Sequence, residues 1–208
     1  MKMRKRPPLA VISVGVVAAV AMAVLFAAHP VAQRSGDLAS PMSSGMGSDD
    51  GTLAADLPAW MDVELVDAVS GEAFRIRDLV GRPILLESFA VWCSICLRQQ
   101  KEMARLVDLE GDRIVHVSLN TDPNEDLDKV KAHALLHGFT WYYAVAPIKM
   151  TELLIADFGL TVVNAPRAPV VLIEVDGSSR LLANGVKSAE RLLEEIELVS
   201  ESEEDNGG

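Results

Sequence analysis

The chain has 208 residues, half of them hydrophobic, and a formal net charge of −11. Four of its 19 basic side chains (Lys2, Arg4, Lys5 and Arg6) lie in the first six residues, leaving 15 basic against 30 acidic groups in the rest; so acidic a chain repels phosphate backbones, which argues against nucleic-acid binding. Two cysteines, spaced C-x-x-C, are too few for a multi-disulfide scaffold or a four-cysteine zinc site.

Residues 1–8 form a basic, proline-ended head, expected on the cytoplasmic side. Residues 9–28 carry no charge. As a helix rising ~1.5 Å per residue, this block would span about 30 Å, the thickness of a bilayer core. A signal-peptide apolar region is shorter, ~7–15 residues. Phe26 and Pro30 also spoil the small-x-small cleavage sites ending at Ala28 and Ala32. An uncleaved signal-anchor, a single transmembrane helix, is therefore expected, with a cleaved signal as the alternative. The basic head then orients the remaining chain to the extracytoplasmic side. Residues 29–52, rich in Ser, Gly, Met and Asp, read as a flexible linker. Met42 and Met46 fit a solvated linker better than a soft copper site. Residues 200–208 read as an acidic disordered tail.

The folded unit is expected over 53–199. Two short strands, 61–66 and 73–76, flank a turn at Ser70 and Gly71. The apolar run 83–90 reads as a strand covered on both faces. A helix follows over 93–109, with Arg98, Lys101 and Arg105 on a polar stripe, and stops near Gly111. A strand over 113–119 leads to a helix whose start is read at Asp122, with Pro123 and Glu125 completing a capping box. That helix ends at His137 and Gly138. A strand over 140–145 and a helix over 151–158 come next. Strands 170–175 and 180–183 form a hairpin across Asp176 and Gly177, and a last helix covers 188–198. Strands alternating with helices, then a hairpin, predict an α/β sandwich.

The chemistry centres on Cys93 and Cys96, at the junction of the buried strand and its helix. A helix N-terminus presents free N–H groups and the positive end of the dipole, which favour a thiolate at Cys93. Cys96, one turn on, can resolve a mixed disulfide. Glu87 is the one acid in the apolar strand. Buried without a countercharge it should have a raised pKa, and it can accept a proton from Cys96. Pro169 opens a strand, where a proline is tolerated. A cis peptide after Ala168 would turn the chain beside the cysteines and let its backbone pair with an extended client. An ordinary trans proline is the plainer alternative, and Pro166 is a rival. His133 and His137 share a helix face but have no third ligand in sight, so a solvated pair is expected. Trp141, Tyr142 and Tyr143 are expected to divide between core and surface.

With these motifs, residues 61–198 resemble the thioredoxin-like, membrane-anchored thiol–disulfide oxidoreductases of the TlpA/ResA type. The resemblance implies a thioredoxin-like three-layer α/β sandwich with an N-terminal strand extension and a central strand–helix insertion at 113–137, preceded by the transmembrane helix. It implies that Cys93 is the nucleophile, Cys96 the resolving cysteine, and the pair a reversible disulfide. Glu87 matches the family's acidic or amide position six residues before the first cysteine, and Pro169 its cis-proline. Trp92, Ala168 and Pro169 are then the expected client contacts. Two departures stand out: Ser94 and Ile95 between the cysteines include no proline, and Ala and Val surround Pro169 in place of Thr. No cofactor or metal is expected. The partners implied are client protein thiols and disulfides and, because no third cysteine can reset the pair, a membrane thiol-electron carrier. The rival is a copper-delivery protein of the same fold. Those proteins use C-x-x-x-C and a distal histidine, and the hairpin alignment puts Pro166 at that histidine's place. A thiol peroxidase would need T-x-x-C where residues 90–93 read A-V-W-C, and a non-catalytic adaptor would not need the motif.

Overall fold

The computed structural model describes residues 57–205; the head, the apolar block and the linker lie outside the described residues. Among the described residues no helix is long and apolar enough to cross a membrane.

The chain enters through Trp60 and Met61, adjacent residues that are both buried. A strand would send neighbouring side chains to opposite faces, so this stretch forms a 3-10 turn, Ala59–Asp62, where a strand over 61–66 is expected. What remains is a two-stranded antiparallel ribbon, β1 (Leu65–Val66) with β2 (Ala73–Phe74). Ile76 and Leu79, three apart and both buried, again select a 3-10 turn. The Asp67 carboxylate holds the ribbon, accepting the N–H of Ser70 at 2.7 Å and that of Tyr143 in the main sheet at 3.0 Å.

The main sheet comprises β3 (Ile84–Phe89), β4 (Val115–Asn120), β5 (Tyr142–Val145), β6 (Val170–Ile173) and β7 (Ser179–Leu181), in spatial order β5-β4-β3-β6-β7. The first three strands are parallel; β6 runs antiparallel to β3, and β7 to β6. Helices α1 (Ser94–Glu110) and α2 (Leu127–His137) are the two parallel crossovers, and right-handed connection puts both on one face. There Leu85 packs with Met103 and Leu106 of α1 and Leu192 of α4 (Ala189–Asp205), while Phe89 packs with Val130 and Ala134 of α2. On the opposite face Ile84, Leu86, Val117 and Leu119 meet Trp60, Met61, and Met150 and Leu154 of α3 (Ile148–Phe158). The result is a three-layer α/β sandwich.

Several boundaries depart from the sequence reading, such as α3 beginning at Ile148 and β6 ending at Ile173; two are instructive. Helix α2 is capped by Asp126, which accepts the Lys129 N–H at 2.9 Å. Asp122 and Glu125 have other partners: Asp122 accepts the Trp92 indole N–H at 2.6 Å, and Glu125 accepts the Val91 N–H at 2.8 Å. Tertiary bonds to the loop after β3 thus override the capping-box pattern. Helix α4 continues to Asp205, so residues 200–205, expected as disordered tail, are helical. Glutamate favours helix, and no glycine or proline interrupts before Gly207. The end of α2 is as read: Gly138 takes the left-handed conformation (φ 70°) that a C-terminal cap requires.

Candidate redox site

β3 is buried along its whole length and delivers the chain to the N-terminus of α1. Cys93 is the N-cap: its backbone is extended (φ −83°, ψ 104°), and its sulfur accepts the Cys96 N–H at 3.1 Å. Cys93 and Cys96 are joined as a disulfide with Cα atoms 5.3 Å apart. Cys93 keeps 4% of its surface and Cys96 none, so an incoming sulfur reaches Cys93 first. The first turn of α1 carries no acid. Nothing in that turn opposes the dipole's preference for a thiolate at Cys93 once the bond is reduced.

Trp92 stands beside the pair, 64% exposed, and its indole N–H holds Asp122. That bond, with the Asn124 backbone N–H, keeps the Asp122 carboxyl below its usual range. Trp92, Ala90 and Asp122 line a cleft together with Leu160, Asn164 and Pro166.

Glu87 is fully buried in mid-strand, opposite Ser118 of β4 and Val170 of β6. Alternation puts it on the same face as Leu85 and Phe89. Since Phe89 packs with Cys96 and Leu85 with Met103, Glu87 lies under the turn of α1 between those residues, where Gln100 points inward. The Ser118 hydroxyl donates to one carboxyl oxygen at 3.1 Å and itself accepts the Trp141 indole N–H at 3.0 Å; the other carboxyl oxygen makes no hydrogen bond within the protein. Burial pushes the Glu87 pKa up to about 8, while Gln100, Ser118 and the charge of Lys187 draw it partly back. A buried acid of raised pKa, as the sequence reading expects, is thus present beneath α1 beside Gln100.

Ala168 and Pro169 are both buried. No peptide bond among the described residues is cis, so the plainer reading of Pro169 holds. Ala168 is left-handed (φ 46°), and both its backbone groups are engaged: the N–H bonds to the Ala165 carbonyl at 2.8 Å, and the carbonyl accepts Lys187 Nζ at 2.7 Å. In this conformation neither is open to a client. What lies against Cys96 is the neighbouring carbonyl of Ala165, 3.2 Å from its Sγ.

The histidines differ from expectation. His133 is buried, not solvated: its Nε2 meets the Gln100 side-chain oxygen at 2.7 Å, and its ring lies 4.8 Å from that of His137. Burial, with the neighbouring His137, lowers its pKa to about 4. Among the described residues no group of three or more His, Cys, Asp or Glu side chains could hold a metal ion. Tyr143 is fully buried, whereas Trp141 and Tyr142 are half-buried. Gln99, Gln100, Ser118 and Lys187 did not emerge from the sequence. One signal was present for Gln100: it falls at helical spacing between Cys96 and Met103, both inward-facing. No comparable signal marks Lys187.

The strand order, the helix placement and a C-x-x-C disulfide at a helix start define a thioredoxin-like fold. Neither a family model nor a curated relative matches the sequence. Solved structures do match. A thiol:disulfide interchange protein of the thioredoxin family from Chlorobium tepidum TLS superposes with a TM-score of 0.54 at 19% identity, covering 65% of this chain and 91% of that one. MTB dsbF, solved in mixed oxidised and reduced forms, gives 0.52 at 17%, covering 65% and 93%. BsSco, a member of the Sco family of cytochrome c oxidase assembly proteins with a disulfide switch, gives 0.54 at 17%, covering 65% and 89%.

Proposed function

We propose that this protein is an extracytoplasmic thiol–disulfide oxidoreductase, anchored through residues 9–28, that exchanges disulfides with client proteins through Cys93 and Cys96. The observation that carries this reading is the disulfide at the N-terminus of α1, with Cys93 capping the helix and Cys96 sealed beneath it. In the reducing direction the Cys93 thiolate attacks one sulfur of a client disulfide, and the other leaves as a thiolate. Cys96 then gives its proton to Glu87 in the fraction of molecules where that carboxyl is ionised, a fraction that grows as pH approaches 8, and attacks Cys93 Sγ. The second client sulfur departs, two electrons have passed to the client, and the protein holds its disulfide. Oxidation of a client dithiol is the same sequence reversed. Trp92, with its large exposed face, lines the approach for the client.

After each turnover the pair needs resetting. As the flexible linker their composition suggests, residues 29–52 would have a root-mean-square reach of about 25–30 Å. An integral-membrane thiol-electron carrier fits that reach. The test of the activity is reduction of insulin disulfides by dithiothreitol, which the purified protein should accelerate; a rate no greater than that of dithiothreitol alone would refute it. Copper delivery by a protein of the same fold is the second reading; the match to BsSco, of a family of cytochrome c oxidase assembly proteins, is compatible with it. A reduced protein that binds copper one to one and exchanges no disulfides would establish it.

A further inference from the structure

Lys187 is a buried lysine that the exchange chemistry above does not use. It stands in the loop before α4, 7% exposed, and its ammonium donates to three backbone carbonyls: Ala168 at 2.7 Å, Gly185 at 2.7 Å and Ala183 at 3.1 Å. Three acceptors match the three protons of a charged ammonium. The backbone of the same residue is fixed to the cysteine helix, for its N–H donates to the Gln99 side-chain oxygen at 2.8 Å and its carbonyl accepts Gln99 Nε2 at 3.2 Å. Gln99 is fully buried.

These contacts close a ring. It starts on α1 at Gln99, passes through Lys187 to the Ala168 carbonyl, returns by the Ala168 N–H to the Ala165 carbonyl, and ends at Cys96 Sγ, 3.2 Å from that oxygen. The ring begins and ends three residues apart on one helix. It also spans Ala168, whose left-handed backbone is unfavourable for a residue with a Cβ and must be held by its surroundings.

We propose that Lys187 is a positioning residue for the dithiol: through this ring it holds the Ala165 carbonyl over Cys96. The proposal rests on the redox reading of the site. In the reduced protein the Cys96 S–H donates to that carbonyl; in the disulfide no S–H exists and the bond is absent. The contact therefore stabilises the reduced state and keeps Cys96 as a neutral thiol, the form a resolving cysteine holds until its proton is taken. Opening the ring lets the 165–168 turn relax, removes the acceptor and favours the disulfide.

The experiment equilibrates the protein with reduced and oxidised dithiothreitol: protein disulfide plus dithiol gives protein dithiol plus cyclic disulfide, two electrons and two protons moving together. Lys187→Met and Gln99→Met open the ring at two places. Each should shift the equilibrium toward the protein disulfide by about three- to tenfold, tenfold being about 30 mV. Lys187→Arg, which keeps charge and donors, should stay closer to wild type. Circular dichroism and thermal melting identify the variants that fold, and either folded variant suffices. Folded variants that melt earlier but keep the wild-type equilibrium would make Lys187 purely structural and overturn the proposal. So would a reduced wild-type protein in which Cys96 ionises before Cys93, a result read by NMR and independent of any variant. Insulin reduction by the wild type runs in parallel. Its absence sinks the redox reading itself, whereas its presence with unchanged variant equilibria sinks only the role of Lys187.

Discussion

On one face of the main sheet Ile84, Leu86, Val117, Leu119, Val171 and Ile173 meet Trp60, Met61, Met150 and Leu154, all buried and all apolar. On the other, the intervening residues of β3 and β4 are Leu85, Glu87, Phe89, His116, Ser118 and Asn120, no less buried but four of the six polar. The second face is also incompletely satisfied. One oxygen of Glu87, the amide nitrogen of Gln100, both ring nitrogens of His116, the side-chain oxygen of Asn120 and the Tyr143 hydroxyl make no hydrogen bond within the protein. Buried polar groups without partners cost stability, typically about 1–3 kcal/mol each. Strands that are apolar on one side but for Ser88 therefore sacrifice stability on the other, and that other side is where Cys93 and Cys96 sit. The apolar face carries the fold; the polar face carries the reactivity.

This division can be broken from either side. Leu86→Ala opens a cavity in the apolar face and should cost about 2–5 kcal/mol in urea denaturation. The dithiol–disulfide equilibrium should not move; a shift of threefold or more would show that the two faces are not separable.

Glu87→Gln probes the polar face. In the folded protein this carboxyl holds its proton up to about pH 8, against an ordinary 4.5. As pH rises from 4.5 to 8 the unfolded chain loses the proton first, so the folded state loses ground by about 1.4 kcal/mol per unit. The loss amounts to on the order of 3 kcal/mol at pH 7. Lys187 acts in the opposite sense at higher pH: burial lowers it from 10.5 to about 8, so the unfolded chain binds the extra proton between those values and folded stability recovers. Wild-type stability should thus pass through a trough near pH 8. Glu87→Gln should flatten the acidic side of that trough while slowing release of the mixed disulfide. Identical pH profiles for the two proteins would mean that Glu87 titrates as an ordinary acid.

The smallest effect belongs to neither face. Asp126→Ala removes the cap of α2 and should cost about 1 kcal/mol in thermal or urea unfolding, with disulfide exchange unchanged.

What the sequence disclosed follows the same division. The strand 83–90, its helix and the hairpin across Asp176 and Gly177 were legible because apolar period and turn residues are local signals. Cys93 and Cys96 were legible because their chemistry needs a fixed spacing, and Glu87 because it interrupts an apolar run. The start of α2 was misread because Asp122 and Glu125 are both good capping residues, and only the packed loop after β3 assigns them to Trp92 and Val91. Lys187 was silent: it lies 88 positions from Gln99, and nothing local predicts that a lysine in a polar loop will be buried against the cysteine helix.

The most direct test of the central claim is capture by single-cysteine variants. Cys96→Ser leaves Cys93 at the helix N-terminus without its resolving partner. Expressed in its native host, it should accumulate client or partner proteins as mixed disulfides that dithiothreitol releases, while Cys93→Ser should capture none. Capture by Cys93→Ser and not by Cys96→Ser would contradict the account, because it would make the fully buried Cys96 the attacking sulfur.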